Sequence, residues 1–565
     1  MKHFSLKLRK ILLCDYLYYF VLVLSIIYII VFIKKYIPPC NYDINDTNFI
    51  LTITSMKVDG DKLSLEFKEN LIGNYYFNTL EEKNNFLSKY ELGDKINTTG
   101  TLKEPSENTI FNIFNYKKYL YYKGIKYILS IEEYDLNEKY SGMFIKIKNY
   151  FYKRVGNIKN NSYIYAFILG KSNYIDDESY NNYKINGVTH LFALSGLHVS
   201  IFSGILLSIF SKLKFNEKIG FILTSLFLIF FSFIASFTPS ILRATIFFIL
   251  SSINKIYYFY VKPKYLLYLT FIILVLINPL YIFNTGFILS FTITFFILLF
   301  NENYKINNSI MSILVISLLS FFSSLPIIIN MSYEANIIGF INNVIFIPLV
   351  TNIIFPLAIL TLIFNKLSFI LNILTNIMEI LSSISSNIIN ITIFFQKLTI
   401  LEIVIYYVIF ILIVKKKNKF IVPFILFIVY LYIKPSFDKN TYIYFIDVGQ
   451  GDSTLIVTEN NKITLIDTGG IVTYNYKEDW ATKNKEFNLV TSSVLPFFKS
   501  IGVKKIDYLF LTHGDFDHMG EAINLVNNFK VEKVIFNCGQ FNELEKELIK
   551  VLDKKKYDII VVLKN

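Results

Sequence analysis

Long apolar runs are the feature that most constrains how this chain can fold. They follow one another between about residues 188 and 433, and another covers residues 17–33. A helix rises about 1.5 Å per residue, so a run of about 20 residues crosses the ~30 Å hydrocarbon core of a bilayer. Apolar residues make up 53% of the 565 residues and charged residues only 18%, which is low for a soluble protein. We therefore predict a polytopic α-helical membrane protein.

The charges of the short loops predict the orientation of these helices. The net charge is +13, and much of it lies in Lys-rich loops, whereas the intervening loops are neutral or acidic, as around Glu334. Lys-rich loops stay in the cytoplasm, which gives about eleven spans. The N-terminus is then cytoplasmic, and segments 40–160 and 438–565 lie outside. Residues 337–396 fit either two long helices or three shorter or re-entrant ones.

The two segments outside the membrane have different patterns. Residues 40–135 alternate apolar and polar side chains between turn residues, which is typical of short strands and predicts a small β-barrel or sandwich. After Lys434-Pro435, residues 443–446 and 464–466 are predicted strands, 489–501 a helix and 508–511 a buried strand. This order indicates an α/β sandwich.

An aromatic and basic stretch follows the predicted strands. It contains Tyr116, Lys117, Lys118, Tyr119 and Lys123. Tyrosines interleaved with lysines could stack on bases and neutralise phosphates. They could also form a helix on the membrane surface, with Tyr at the headgroups and the Lys side chains reaching water. The residues alone favour the membrane-surface helix.

The sharpest local signal is the run Leu-Thr-His-Gly-Asp-Phe-Asp-His-Met-Gly at residues 511–520. It brings two imidazoles and two carboxylates together directly after a buried strand. Imidazole with carboxylate suits Zn²⁺ or Mn²⁺ rather than Ca²⁺. Two such ions could hold a bridging hydroxide and polarise a phosphoryl oxygen. A solvated polar turn is the alternative, but the chain has only five His, and two of them stand here.

This run, with residues 445–452 and 467–470 upstream, resembles the metallo-β-lactamase superfamily from residue 440 to the end. The resemblance implies two divalent metal ions in a complete domain, Zn or Mn. The residues it implies are the metal ligands His513 and Asp515 for the first ion and Asp517 and His518 for the second, with His513 and Asp517 also catalytic, and the supporting carboxylates Asp447, Asp452 and Asp467. The family often has His where this chain has Asp515, so the resemblance does not fix the metal.

The C-terminal end departs from that superfamily. Its members draw further ligands, typically His, a bridging Asp and another His, from well downstream. The residues after His518 contain no His, and Asp553 and Asp558 match no family motif. We therefore expect a module that is truncated, with half a metal site and weak or absent hydrolysis by this chain alone.

Polar groups within the predicted spans need an explanation, because they are costly in lipid. On one helix His190 and His198 would lie about 80° apart, so they could line a polar pathway, with Gly196 allowing close backbone approach. They could equally be packed, hydrogen-bonded histidines at an interface. Arg243, just inside a span, could attract phosphates or extend to the headgroups.

Helix breaks occur in the later spans. They lie at Asn278-Pro279, at Gly286, and at Asn342-Asn343 with Pro348. Backbone freed at a break is tolerated only where it is buried in protein or lines a cavity. The breaks therefore favour a conduit over a simple anchor.

Residues 190–199, 240–244, 278–290 and the region of Asn342 together resemble the membrane domain of ComEC-type DNA-internalisation proteins of bacterial competence. Residues 114–120 and 124–125 resemble the end of that family's OB-like domain, and a metallo-β-lactamase module after the last span completes the same order. The resemblance implies a channel in the bacterial cell membrane that passes one DNA strand into the cytoplasm while the outer module degrades the other. It also shifts the interpretation of the Tyr/Lys stretch towards DNA contact.

The family resemblance implies a division of the chain and a set of residues for each part. The regions are an N-terminal transmembrane helix (1–37), an OB-like extracytoplasmic domain (40–160), a competence-type membrane domain (161–434) and a metallo-β-lactamase-like domain (440–565). The residues implied for the DNA path are His190, Ser195, Gly196, His198, Arg243, Asn278, Gly286, Asn342 and Asn343, and those implied for DNA contact are Tyr116, Lys117, Lys118, Tyr119 and Lys123. The implied partners are DNA, the bilayer, a cytoplasmic ATP-driven translocase and an outer DNA receptor, and homo-oligomerisation is left open.

Two other interpretations remain open. One is a membrane-anchored metallo-hydrolase of a small ester or phosphate, which leaves the broken helices unexplained. The other is a truncated, non-catalytic remnant.

Overall fold

The structure is a computed structural model that describes residues 15–140, 142–388, 391–470, 478–483, 488–555 and 558–561. Helix α1 (Asp15–Lys35) is apolar on every side and ends at a pair of lysines. Most of its side chains are exposed, as expected for a helix that faces lipid.

Five strands close a barrel after this helix, in the spatial order β1-β2-β3-β5-β4. Their bounds are β1 (Asn48–Asp59), β2 (Lys62–Phe67), β3 (Ile72–Tyr76), β4 (Lys95–Lys103) and β5 (Ile128–Glu138). Fully buried positions alternate with partly buried ones along β2 and with mostly exposed ones along β4, so one face of each strand fills the barrel. Helix α2 (Leu80–Lys89) begins at the cap Thr79 and buries Phe86 in the same core.

Helices make up most of the chain from the barrel to residue 433. Four short ones come first: α3 (Tyr116–Tyr122), which lies between β4 and β5, and then α4 (Met143–Gly156), α5 (Ser162–Leu169) and α6 (Asp177–Ile185). The apolar helices of the bundle follow: α7 (Gly196–Lys212), α8 (Glu217–Ile234), α9 (Pro239–Ile256), α10 (Pro263–Ile277), α11 (Thr285–Asn303), α12 (Ser309–Ser332), α13 (Gly339–Leu349), α14 (Phe355–Ile363), α15 (Ser368–Ile388), α16 (Ile400–Val414) and α17 (Ile421–Ile433). Helix α9 packs against α7, α8, α10 and α11 and is therefore central.

Among the described residues, seven helices are long and apolar enough to cross a membrane. Three shorter apolar helices, α7, α10 and α16, accompany them. Residues 337–396 supply two long helices, because a π-helical segment (Val350–Ile354) joins α13 to α14 without a break. The predicted multi-span architecture is confirmed, while the count of about eleven spans stays a prediction, as do the orientation and the domain boundaries.

The C-terminal region, here called the module, holds a six-stranded mixed sheet in the order β13-β12-β11-β10-β9-β8. Its strands are β8 (Tyr442–Phe445), β9 (Thr454–Val457), β10 (Ile463–Ile466), β11 (Ile506–Leu511), β12 (Val531–Phe536) and β13 (Asp558–Val561). Its helices are α18 (Leu495–Ser500), α19 (Phe516–Met519), α20 (Ala522–Asn528) and α21 (Glu543–Lys555). Strands β10 to β13 are parallel, so the loops after β10 and β11 meet at one edge.

The β-rich and α/β regions predicted from the sequence are both confirmed, and the assignment of the barrel as OB-like stays a prediction. Strand β9 was not predicted. It lies between the predicted strands at 443–446 and 464–466 and pairs antiparallel with both β8 and β10. Its single apolar tripeptide is too short for alternation to be read from the sequence.

Asn112 joins the three parts of the molecule. Its amide donates to Ser500 Oγ of the module at 3.3 Å and accepts from Lys397 Nζ of the helical bundle at 2.8 Å. Its carbonyl accepts from the Tyr333 hydroxyl. Two residues earlier, Ile110 is buried in the core of the module. The link between β4 and α3 therefore ties barrel, bundle and module together.

Candidate functional site

The loop after β11 gathers a set of metal-ligand side chains. Potential ligand atoms of His513, Asp517 and His518 all lie within 4.8 Å of one another. The two imidazole centroids are 3.9 Å apart. Sequence reasoning placed these residues on one turn, and the short helix α19, which begins after Asp515, brings them together.

Asp467, at the end of β10, holds this cluster in place. Its Oδ2 lies 2.9 Å from His518 Nδ1 and accepts from the Thr512 hydroxyl at 2.6 Å. Its Oδ1 accepts the Thr512 backbone N–H at 2.9 Å. Asp467 itself is only 3% exposed and adopts φ 55°, a backbone conformation that costs energy for a non-glycine residue. A buried carboxylate behind a metal-ligating imidazole is the usual support of such a site.

The two imidazoles are both held through Nδ1. His513 Nδ1 lies 3.0 Å from Thr512 Oγ1, and His518 Nδ1 is bonded to Asp467. Both Nε2 atoms remain for a metal ion. Burial lowers the pKa of His518, but the hydrogen bond and charge of Asp467 outweigh burial and the net shift of this pKa is upward. Two imidazoles and a carboxylate fit Zn²⁺ or Mn²⁺.

The other predicted carboxylates are placed differently. Asp515 is 70% exposed, and its Oδ2 lies 3.4 Å from His513 Nε2, beside the cluster rather than within it. Asp447 is exposed and accepts the Gly449 N–H at 2.9 Å. Asp452 is exposed and acts on His518 through its charge. Of the supporting carboxylates, Asp467 alone bonds directly to a ligand side chain among the described residues.

Glycines allow the loops of this edge to pack tightly. A Cβ on Gly451, which has φ 95°, would overlap the Asp517 carbonyl. A Cβ on Gly470 would overlap the Phe516 carbonyl. The loops that contain Gly451 and Gly470 therefore lie directly against the ligand turn.

In the membrane domain, Ser195 and His198 form the N-terminal cap of α7. The Ser195 side chain accepts from the Leu197 N–H, and the Ser195 N–H donates to His198 Nδ1 at 3.2 Å. The His198 ring is 1% exposed and lies edge-on to Phe355, 4.8 Å between centroids. His198 therefore closes a helix terminus inside the protein.

His190 does not share a helix with His198, which corrects the geometry assumed from the sequence. It lies in a separate 3₁₀ turn (Thr189–Leu191), and its side chain is exposed. The two residues are separated by the cap at Ser195, where α7 begins. A single helical face therefore does not carry both imidazoles.

Arg243 lies at the packed centre of the bundle. It is 7% exposed, and its Nη1 donates to Thr294 Oγ1 of α11 at 2.9 Å. A Cβ on Gly196 would overlap Arg243 Nη2, so glycine at the start of α7 is what admits the guanidinium. Among the described residues, Arg243 Nε has no hydrogen-bond partner, and no carboxylate pairs with this side chain.

The predicted breaks at Asn278 and Gly286 lie at helix ends. Asn278 ends α10, and its side chain accepts the Leu280 N–H at 3.0 Å. Gly286 lies in the first turn of α11, and its carbonyl accepts from Ser240 Oγ of α9 at 3.2 Å. Asn278 thus serves as a cap, whereas Gly286 brings α11 close to the helix that carries Arg243.

Asn342 belongs to a second polar group in the bundle. Its amide donates to Asn186 Oδ1 at 3.1 Å, and its Oδ1 accepts from Ser385 Oγ at 3.2 Å. Asn186 in turn donates to Ser382 Oγ at 2.9 Å. The neighbouring Asn343 is 9% exposed, and its Oδ1 lacks a hydrogen-bond partner among the described residues.

The lysines of the predicted DNA-contact stretch are mostly neutralised. Lys117 Nζ lies 3.2 Å from both Glu104 and Glu107. Lys123 Nζ lies 3.0 Å from Glu66. These pairs leave little positive charge for phosphates.

The tyrosines of the same stretch hold α3 against the membrane domain. Tyr122 stacks on Phe283, with centroids 3.6 Å apart, and the Tyr121 hydroxyl donates to the Tyr36 carbonyl. Tyr116, Tyr119 and Lys118 are exposed. DNA contact by Tyr116, Lys118 and Tyr119 stays a prediction, as does a position of α3 at the membrane surface.

Three residues of these sites were missed from the sequence. Thr512 directly precedes His513 and could have been found from its position. Asn186 precedes the glycine at 187, which was a weak signal. Thr294 stands within an apolar run, 51 positions from its partner Arg243, and nothing local marks it.

Comparison with known proteins matches two family models to this chain. The competence protein model matches residues 167–420, and the metallo-beta-lactamase superfamily model matches residues 446–556. ComE operon protein 3 of Bacillus subtilis (strain 168) is 28% identical over 528 residues, which cover 88% of this chain and 67% of that protein. The Ser195–His198 cap and Arg243 lie in the first matched region, and the His513–His518 cluster lies in the second.

Proposed function

We propose that this chain carries one strand of transforming DNA across the bacterial cell membrane, because it holds a competence protein domain followed by a metallo-beta-lactamase domain and is similar to ComE operon protein 3. The barrel and the module lie outside, and the N-terminus lies in the cytoplasm. The module is a metal-dependent nuclease that acts on the other strand when its ligand set is complete. A cytoplasmic ATP-driven translocase and an outer DNA receptor assist.

Arg243 is the observation that carries the proposed passage. A guanidinium buried among apolar helices is strongly destabilising unless it is paired. Within the described part of the chain its hydrogen-bond partner is the neutral Thr294, and its Nε has no partner. The phosphates of a passing strand would supply the missing negative charge. Gly196 and Gly286 allow three helices to come close at this point.

The cluster at His513, Asp517 and His518 supports the hydrolytic part of the proposal. Metal ions bound here would lower the pKa of a coordinated water and polarise a phosphoryl oxygen. Asp467 fixes the orientation of His518 and, through Thr512, that of His513. Asp517 is about half exposed, so an extended backbone can reach the cluster from solvent.

Replacing Arg243 tests the proposed passage. We expect Arg243→Gln to lower uptake of labelled DNA by about 10- to 100-fold, since a charge-assisted hydrogen bond is worth about 1.5–3 kcal/mol. Arg243→Lys should restore part of it. Arg154→Gln is the matched control, because Arg154 donates to the Leu362 and Ile363 carbonyls and not to the central cluster.

Uptake by Arg243→Gln at the parental level, with equal protein in the membrane, would contradict the passage. It would favour the alternative of a membrane-anchored hydrolase of a small ester or phosphate. Loss of uptake together with loss of the protein would indicate only a folding defect. In that case Arg243→Lys, which keeps the positive charge, distinguishes the folding defect from the loss of the charge. A chain that supports no uptake and binds no metal would be the non-catalytic remnant.

A further inference from the structure

A second basic and aromatic surface lies where the barrel meets the module. We call it the Tyr76 patch, and it consists of Lys62, Tyr76 and Lys83 of the barrel with Trp480 and Lys483 of the module. The sequence pattern did not reveal it, because its residues come from two distant parts of the chain.

Tyr76 presents an accessible ring between two ammonium groups. The ring is 51% exposed. Lys62 faces it across the β2–β3 pair, with Nζ 5.9 Å from the ring centroid. Lys483 Nζ, from the module, lies 5.6 Å from the same centroid. An exposed aromatic ring flanked by cations offers one base a stacking partner and two adjacent phosphates a countercharge.

Lys83 connects the two halves of the patch. Its Nζ donates to the Gly60 carbonyl at 2.9 Å and to the Trp480 carbonyl at 3.1 Å. The same Nζ lies 5.8 Å from the indole centroid. Gly60 has φ 60°, and a Cβ there would overlap the Thr482 backbone. The β1–β2 turn and the module segment 478–483 therefore form one continuous surface.

Among the residues that the structure describes, the lysines of this surface are not neutralised as those of α3 are. Among the described residues, no carboxylate lies within ion-pair distance of Lys62, Lys83 or Lys483. Asp59 lies 3.9 Å from Lys57, and Glu478 accepts the Trp480 indole N–H. In contrast, Lys117 and Lys123 each face glutamate at 3.2 Å or less.

We infer that the Tyr76 patch binds single-stranded nucleic acid, with a base on Tyr76 and the sugar-phosphate backbone along Lys62, Lys83 and Lys483. The inference rests on the proposed function and names where a strand contacts the chain outside the membrane domain. Stacking on an exposed ring favours an unpaired base over an anionic lipid headgroup, which has no planar group to stack.

Trp480 is the only tryptophan in the sequence, so its fluorescence reports on binding at the patch. The full chain in detergent is titrated with an oligothymidylate while the indole fluorescence is recorded. We expect a saturable change in this fluorescence. When the logarithm of the binding constant is plotted against the logarithm of the salt concentration, the magnitude of the slope should fall by about 0.7 in Lys62→Gln and by about 0.7 in Lys483→Gln. Tyr76→Ala should weaken binding at least about fivefold, since base stacking is worth about 1–3 kcal/mol.

Matched variants in α3 provide the control. Tyr119→Ala and Lys118→Gln remove an exposed tyrosine and an exposed lysine of α3, at positions outside the Tyr76 patch.

 The two α3 variants should bind oligothymidylate with an affinity within about twofold of the parent, because neither side chain contributes to the patch. Tyr76→Phe keeps the ring and should bind like the parent, which separates the loss of stacking from a damaged barrel.

Three outcomes would overturn the inference. An abasic oligomer that binds as tightly as oligothymidylate would leave Tyr76 without a role. Vesicles with anionic lipid that change the indole fluorescence, while oligothymidylate does not, would assign the patch to a membrane surface. Equal losses in the α3 variants would place the contact on α3. Oligonucleotide binding by a chain that supports no DNA uptake would count against the proposed function and leave the patch in place.

Discussion

At the scale of single residues, Asp467 determines the geometry of the metal-ligand run. It is buried, strained at φ 55°, and bonded to both Thr512 and His518. The sequence predicted the cluster itself because His513, Asp517 and His518 are neighbours on one turn. It could not predict that Asp515 would lie beside the cluster, since that depends on where α19 begins.

Asp467→Asn should weaken metal binding by about 10- to 100-fold, as expected when the partner of a ligating imidazole is altered. The amide keeps the shape but loses the charge that orients His518. Competition with a chromogenic chelator for Zn²⁺ measures the effect on the full chain. Asp447→Asn is the control, because that exposed carboxylate bonds to Gly449 and not to a ligand. Equal affinities for the parent and Asp467→Asn would show that the support is dispensable.

Gly196 and Arg243 make a second residue-scale prediction. Gly196→Ala should displace the guanidinium and lower DNA uptake at least about tenfold, because the new Cβ would overlap Arg243 Nη2 and overpacking costs about 1–3 kcal/mol. Gly204→Ala in the same helix is the matched control, since a Cβ there meets nothing within 4 Å. Uptake that falls equally in both variants, at equal protein levels, would mean that α7 tolerates no alanine for another reason.

At the scale of elements, apolar runs predicted the helices well because hydrocarbon demands a minimum length. The prediction failed for the pair His190 and His198, since a polar cap at Ser195 starts α7 between them. Residues 337–396 could not be divided from the sequence because a π-helical segment passes through the polar positions around Thr351 without breaking the helix. Local hydrogen bonds, which hydropathy does not report, decided both cases.

Asp507 connects two strands of the module and gives a pH-dependent prediction. Burial raises its pKa, but the Ile463 N–H at 2.8 Å and the ammonium groups of Lys505 and Lys462 outweigh burial and lower it. A lowered folded-state pKa contributes stability above the unfolded value of about 3.9, which is lost as the pH falls through the folded value.

Asp507→Asn should therefore speed hydrogen exchange in β10 and β11 at pH 7, consistent with a loss of about 1–3 kcal/mol. The difference from the parent should begin to shrink below about pH 4, where the carboxylate of the unfolded chain takes up a proton, and should vanish as the pH falls through the lowered folded-state pKa. Exchange followed by mass spectrometry, corrected for the intrinsic pH dependence, measures it. A difference that stays constant from pH 7 to pH 3 would contradict the assigned ion pairs.

At the scale of the whole molecule, the order of the parts could be predicted and their contacts could not. The change of pattern after Pro435 marked the module, and alternation marked the barrel. The junction at Asn112, the contact of Lys83 with Trp480, and the meeting of Gly196 with Arg243 all join residues that are distant in sequence. Such contacts arise from tertiary packing, which leaves no periodic signal in a single sequence.

Crosslinking tests most directly whether DNA passes the buried polar cluster around Arg243. Ser240, which precedes Arg243 on α9 and bonds to the Gly286 carbonyl, is replaced by Cys in a chain whose three native cysteines are Ser. Cells then receive DNA with thiol-reactive groups and a bulky end that stalls its entry. Leu226→Cys, at a position 58% exposed on the outside of α8, is the control.

If DNA passes Arg243, we expect an adduct between the stalled strand and position 240, and none at position 226. Uptake of the DNA without any adduct at position 240, or with equal adducts at both positions, would contradict a passage at Arg243.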